Sequence, residues 1–200
     1  MSWLEDEEVM RHVEALETEM GVPAGFFRQL GVEKDWSFII QLHALVESAL
    51  AHAILLRLAD KRLEEFVSRL NVGNNRMGKA GLAVALGLLE PHDLEFVAIL
   101  SEFRNRLVHD ARQVGFSLAD YLRSLPDSKA ESYYLRWGFA KTKPDAHLTF
   151  LDIFRTAPKT LFHVRAFYFL AMLYLKTRYP EPKSPFEKAL AEVVAKAYSR

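Results

Sequence analysis

Arg104, Asn105 and His109 lie close together near the middle of the chain, and their side chains suit chemistry on a bound anion. A histidine side chain can accept or donate a proton near neutral pH. The planar guanidinium of an arginine can hold two oxygens of a phosphate group and stabilise charge that develops on them. An asparagine beside them can orient the histidine or contact the phosphate through its amide. These residue types therefore suit proton transfer next to a bound phosphate.

The helix that carries these residues is predicted to run from Pro91 to His109, with proline at its first position. Most of its circumference is apolar, so we expect it to be buried against several neighbours. Its main apolar stripe comprises Phe96, Leu100, Phe103 and Leu107. Its polar arc comprises Glu102, Asn105, Arg106 and His109, with Arg104 at the border of the two faces.

The spacing of Arg104 and His109 raises a geometric question, because five residues of an ideal helix separate two side chains by about 140°. Three solutions are open. The helix could end before His109, the Arg104 side chain could reach around the helix, or Arg106 could supply the cation. The apolar pattern is lost over residues 110–115, which favours a helix that ends near Val108.

Residues 102–110, with the sequence EFRNRLVHD, resemble the signature of the HEPN superfamily. In that signature an arginine and a polar residue, often asparagine, are followed after a few residues by a histidine. The segment around residues 78–88, rich in Gly and Ala, precedes this helix and is similar more specifically to the mannitol operon repressor family. The resemblance covers roughly residues 36–112 and implies a compact helical domain.

The resemblance also implies a metal-independent endoribonuclease that acts as a homodimer, with two such motifs facing each other across a cleft. Arg104, Asn105 and His109 would be its catalytic residues. The nucleophile would be the ribose 2′-OH beside the cleaved bond, which makes the reaction specific for RNA. Further candidates for contact with the substrate are Arg106, Glu102 and Glu47. The expected partners are RNA and a second copy of the chain, and no cofactor or metal ion is expected.

The alternative is a catalytically silent transcription regulator or protein-interaction module that resembles the mannitol operon repressor. A polar arc on a globular helix is usually a solvated face with ion pairs between residues three or four apart. The turn at 71–75 precedes a helix with few side chains to read bases beyond Arg76 and Lys79, so direct DNA binding is disfavoured. Such a regulator would act through a protein partner, with Arg104 or His109 held in internal hydrogen bonds.

Composition limits the classes of protein that the chain can belong to. Lys plus Arg and Asp plus Glu number 26 each, so the net charge is zero, whereas a general nucleic-acid coat protein is strongly basic. The absence of cysteine excludes a disulfide scaffold and thiol catalysis. The acidic N-terminus does not resemble a signal peptide, and the most apolar run, at 166–175, is too short to span a bilayer. We therefore expect a cytoplasmic protein with no membrane segment.

Helical spacing of apolar residues along the chain predicts an all-α fold, a compact HEPN-like bundle of many helices. We expect one domain over residues 1–200, with an N-terminal helical arm (1–30), a HEPN-like core (36–112) and additional C-terminal helices (117–200) packed on that core. The predicted helices are 3–20, 35–59, 61–70, 76–89, 91–109, 117–125, 126–140, 158–179 and 184–198, with a loop at 141–144. Asp35 and Ser117 are predicted N-caps.

Other polar residues at helical spacing favour structural roles. His43 and Glu47, one helical turn apart, could bind a metal, but two ligands are too few and an ordinary half-buried pair is favoured. His52 is predicted to be a packing residue. His163 and Arg165 precede an aromatic run that could stack bases, although aromatic residues at this spacing favour a core.

Overall fold

The computed structural model describes residues 7–74, 77–137 and 152–179, and within these ranges it is helical with turns and no strands, which confirms the all-α prediction. The α-helices are α1 (Glu7–Glu19), α2 (Phe26–Leu30), α3 (Asp35–Leu58), α4 (Glu64–Arg69), α5 (Lys79–Ala85), α6 (Pro91–Val108), α7 (Leu118–Ser124), α8 (Asp127–Arg136) and α9 (Pro158–Arg178). The 3-10 helices Lys61–Leu63 and Ala111–Gly115 precede α4 and follow α6, and a helical turn at 152–156 precedes α9.

α3 is the central helix of the bundle and packs against α9, α6 and α5. Among the described residues it is also the one helix that is long and apolar enough to cross a membrane, although half of its most apolar window is buried in the molecule. The sequence prediction considered only the run at 166–175 and overlooked α3. A helix that is apolar on most sides must be covered by neighbours. The packing of α3 on three helices provides this cover.

α9 is the second core helix, and it contacts both α1 and α3. Phe167 stacks on Phe27 with ring centroids 6.2 Å apart, and Phe169 lies 5.4 Å from Phe96 of α6. The buried His163 Nε2 donates to the Phe27 carbonyl at 2.8 Å. The aromatic run of α9 is therefore core, as its spacing favoured, and does not form an exposed base-stacking surface.

Helix α6, which carries the candidate site, is fixed at its start by several local signals. Pro91 occupies its first turn, as predicted, and Glu90 and Asp93 form a capping box in which each side chain accepts from the other's backbone N–H. A carboxylate at this end also interacts favourably with the helix dipole. Phe96 and Leu100 of its predicted apolar stripe are fully buried.

Two predicted helix starts differ in their capping. Ser117 caps α7 as predicted, because its side chain accepts from the Asp120 N–H. Asp35 does not cap α3: Lys34 is the capping residue, and Asp35 Oδ2 accepts instead from the Leu118 N–H of α7 at 2.8 Å. Asp35 thus joins the start of α7 to α3, a long-range role that the local pattern does not reveal.

Two predicted helices are shorter in the structure. The segment predicted at 76–89 contributes only α5, because Leu86 leaves the helical conformation and Gly87 adopts a left-handed φ of +71°. A left-handed residue ends a helix, and glycine adopts this conformation without strain. The segment at 61–70 begins as a 3-10 turn before α4. The loop at 141–144 and the helix at 184–198 lie outside the described residues.

Candidate functional site

The candidate site lies at the C-terminal end of α6. The helix ends at Val108, and His109 is its C-cap residue with φ −89° and ψ −4°. Asp110 is extended, and its side chain accepts from the Arg112 N–H to begin the 3-10 helix Ala111–Gly115. The prediction that α6 ends before His109 is confirmed, but His109 keeps the αR conformation, so its side chain still lies about 140° around the helix from that of Arg104.

Arg104 and Asn105 are brought into contact. Arg104 is half-buried, and its Nη1 donates to Asn105 Oδ1 at 3.1 Å. Asn105 is exposed, so its amide nitrogen can reach solvent or a ligand. The asparagine therefore orients the arginine, where the sequence had suggested an effect on the histidine or on the phosphate.

The Arg104 side of α6 faces a buried polar contact with α3. His43 Nε2 lies 3.2 Å from Ser101 Oγ, and His43 Nδ1 lies 4.0 Å from the Glu47 carboxylate. Burial lowers the pKa of His43; Glu47 opposes this shift, while the charges of Arg104 and Lys79 add to it. Arg104 is therefore close enough to His43 for their charges to interact. His43 and Glu47 form the half-buried pair that the sequence favoured.

Arg106 lies on the opposite side of α6. Its guanidinium carbon is 4.3 Å from the centroid of the Tyr121 ring of α7, and the residue is exposed. Two positions along a helix turn the side chain by about 200°, so Arg104 and Arg106 point away from each other. The structure does not bring them together on one anion within a single chain.

His109 is exposed, and among the described residues it has no hydrogen bond or ion-pair partner. Two exposed apolar side chains belong to the same end of the molecule, with Val108 at 37% and Val114 at 56% of full exposure. Both ring nitrogens of His109 can therefore meet solvent, substrate or a second protein chain.

The two acidic candidates are engaged elsewhere. Glu102 Oε1 accepts from Arg136 Nη2 of α8 at 2.7 Å, and this pairing raises the pKa of Arg136. Glu47 Oε1 accepts from Lys79 Nζ at 2.6 Å. Lys79 is buried and also donates to two backbone carbonyls, which places it out of reach of a nucleic acid.

The cations around this end of α6 fall into two groups. Arg112, Arg123 and Arg136 each have a carboxylate within 2.9 Å. Within the described part of the chain, Arg104, Arg106 and His109 have none. The three positive or protonable groups of the motif are thus without acidic partners in the described ranges, although the chain as a whole is neutral.

Sequence reasoning missed Tyr121 of α7, whose ring contacts Arg106. It also missed Tyr133 of α8, whose phenol interacts with that of Tyr121. Burial and this phenol contact raise the pKa of Tyr133 to about 12. No local pattern signals the contact, because α6, α7 and α8 meet only in the folded bundle.

The described residues contain no group of three or more His, Asp or Glu side chains arranged to hold a metal ion. Comparison with protein-family models, curated proteins and solved structures finds no match to this chain.

Proposed function

We propose that this chain is a HEPN-like endoribonuclease that cleaves RNA through Arg104, Asn105 and His109. The observation that carries the proposal is that the motif's cations have no carboxylate partner among the described residues, whereas neighbouring arginines are paired. A phosphodiester supplies the negative charge that these groups lack. The zero net charge of the whole chain is compatible with binding RNA, because the unpaired positive charge is confined to one end of α6.

The proposed reaction is an internal transesterification. A base removes the proton from the ribose 2′-OH, whose oxygen attacks the adjacent phosphorus while the bond from phosphorus to the 5′-oxygen breaks. An acid returns a proton to that 5′-oxygen, and the products are a 2′,3′-cyclic phosphate and a free 5′-OH. His109 moves the proton, and Arg104 stabilises the charge on the phosphorane oxygens. Asn105 holds the Arg104 guanidinium in place.

A homodimer would supply the second proton-transfer group. One His109 cannot act as acid and base at the same moment, and a two-fold axis near the motif would bring a second copy into one cleft. Val108, which precedes His109, and Val114 in the following 3-10 helix are exposed apolar side chains that such an interface would cover. Light scattering should then give about twice the chain mass of 22.9 kDa.

The experiment is cleavage of a mixed RNA pool by the purified full chain, with and without EDTA. We expect cleavage that resists the chelator, gives cyclic-phosphate ends and falls at least a hundredfold in His109→Ala and Arg104→Ala. Arg123→Ala is the matched control, because it also removes an arginine, but an exposed one that is paired with Asp120. Equal cleavage by wild type and His109→Ala would contradict the proposal and point to a contaminating nuclease.

A silent regulator remains the second candidate because of one observation. Arg104 is half-buried and already donates to Asn105, the kind of internal hydrogen bond that a silent module would have. Intact RNA in every lane, together with capture of a specific protein partner lost in Arg104→Ala, would favour this candidate over the nuclease.

A further inference from the structure

The side chains of Arg106 and Tyr121 form a stacked pair beside the candidate site, and we name this pair the stacking ledge. The guanidinium carbon of Arg106 lies 4.3 Å from the centroid of the Tyr121 ring, a distance at which the cation is attracted to the ring face. Arg106 is exposed, and Tyr121 is half-buried. The ledge therefore has a protein side, which is the tyrosine, and a solvent side, which is the arginine.

The Tyr121 ring is fixed by contacts with three other rings or phenols. Phe103 of α6 meets it edge to face at 5.6 Å, and Phe116 lies 5.9 Å away. Its phenol also interacts with that of Tyr133 of α8, which raises the pKa of Tyr133. A ring held on several sides cannot rotate away from Arg106, so the guanidinium above it has a defined support.

Arg106 differs from the other arginine next to a tyrosine in this region. Arg136 lies 5.9 Å from the Tyr133 ring, but Glu95 and Glu102 neutralise it at 2.8 and 2.7 Å. Arg106 has no acidic partner in the described ranges. A charge-paired arginine serves the fold, whereas an unpaired one supported on an aromatic ring offers both positive charge and a flat surface.

We propose that the stacking ledge binds one unpaired base of single-stranded RNA, which lies flat on the Arg106 guanidinium. This inference rests on the proposed function and gives its substrate class. Nucleic-acid bases stack on arginine planes as well as on aromatic rings, and the positive charge also attracts the adjacent phosphates. A base in a duplex is already stacked on its neighbours, so the ledge selects a single-stranded segment next to the motif.

The test uses full-length His109→Ala protein, so that RNA is not cleaved, and two short RNA probes. The first is a hexauridylate with one central 2-aminopurine, and the second has an abasic ribose at that position. Stacking on the ledge should quench 2-aminopurine fluorescence and make the first probe bind roughly tenfold tighter than the second, the lower part of the range for one stacked base. Equal affinities would overturn the inference.

Four variants separate stacking from charge. Arg106→Ala should remove the tenfold preference, and Arg106→Lys should remove most of it because an ammonium has no flat face. Tyr121→Phe should keep the preference because the ring remains. Arg123→Ala, which removes an arginine already paired with Asp120, should leave both affinities and their ratio unchanged. A preference that survives Arg106→Ala would show that the base lies elsewhere and would overturn the assignment.

The outcomes also distinguish this inference from the proposed nuclease. Base-dependent binding without cleavage by the wild-type chain would support the ledge and contradict the nuclease. Cleavage without any base preference would support the nuclease and overturn the ledge. Binding of neither probe would overturn the ledge. Thermal unfolding of each variant confirms that loss of binding is not loss of fold.

Discussion

At the scale of single residues, the arginines and lysines of this chain divide by burial and by partner. Lys79 is 2% exposed, and its ammonium satisfies the Glu47 carboxylate and the carbonyls of Ser68 and Leu70. Removing a buried charged donor leaves its acceptors without compensation, which costs far more than loss of an exposed pair. Lys79 is therefore a structural residue that joins α5, α4 and α3.

Lys79→Met tests this role. We expect the free energy of unfolding to fall by about 3 kcal/mol, because three buried or half-buried acceptors lose their donor while the apolar stem remains. Urea unfolding measures this change in the free energy of unfolding. Arg69→Met removes an exposed arginine from its pair with Glu65 and should cost less than about 1 kcal/mol. Similar losses in the two variants would contradict the structural role of Lys79.

The sequence indicated the residue types of the motif but not their partners. Arg104, Asn105 and His109 could be selected because they share one short segment, and the end of α6 at Val108 followed from the loss of periodicity. Contacts such as Lys79 with Glu47 and Arg106 with Tyr121 join separate elements. Neither helical spacing nor capping preference encodes which helices meet, so these contacts required the folded structure.

At the scale of elements, the start of α6 is tied to α9 by a buried ion pair. Asp93 Oδ2 accepts from the Glu90 N–H at 2.9 Å as part of the capping box. Its other oxygen, Oδ1, accepts from Arg165 Nη2 of α9 at 2.6 Å. The Arg165 side chain is 2% exposed and lies 4.8 Å from the Phe96 ring. One carboxylate thus caps a helix and neutralises a buried charge on another.

Asp93→Ala should therefore destabilise the protein by about 3–5 kcal/mol, because it leaves the Arg165 charge buried without its carboxylate. Chemical unfolding would measure this loss. Ser117→Ala removes an ordinary N-cap of α7 and should cost about 1 kcal/mol. The double variant Asp93→Ala with Arg165→Met should recover much of the stability, because it removes the charge together with its partner. No recovery would contradict the ion-pair argument.

At the scale of the whole molecule, burial of histidines links the fold to pH. Desolvation lowers the pKa of His43, His92 and His163 below the ordinary value of 6.5. For His163 the bond to the Phe27 carbonyl opposes this shift, and the charge of Lys159 adds to it. Each of these imidazoles is neutral in the folded state at a pH where it would bind a proton in the unfolded chain.

The sign of the pH dependence follows from linkage. Above pH 6.5 neither state binds the proton, and the histidine contribution to stability is complete. As the pH falls below 6.5, the unfolded chain binds protons first, and stability is lost until the pH reaches the folded pKa. Glu17 acts in the opposite direction: burial raises its pKa above 4.5, so its contribution is complete below 4.5 and is lost as the pH rises through its folded pKa.

His163→Gln isolates one of these contributions, since the glutamine amide can still donate to the Phe27 carbonyl but cannot titrate. We expect the free energy of unfolding to depend less steeply on pH below 6.5, by at most roughly 1.4 kcal/mol per pH unit. Urea unfolding at a series of pH values measures this slope.

Ile39→Val is the control, because it also perturbs the core but removes no ionisable group, so it should lower stability equally at every pH. The Glu17 effect is common to all three proteins and cancels in the comparison. An unchanged slope in His163→Gln would mean that the imidazole has the same pKa in the folded and unfolded states, which would contradict the effect of burial.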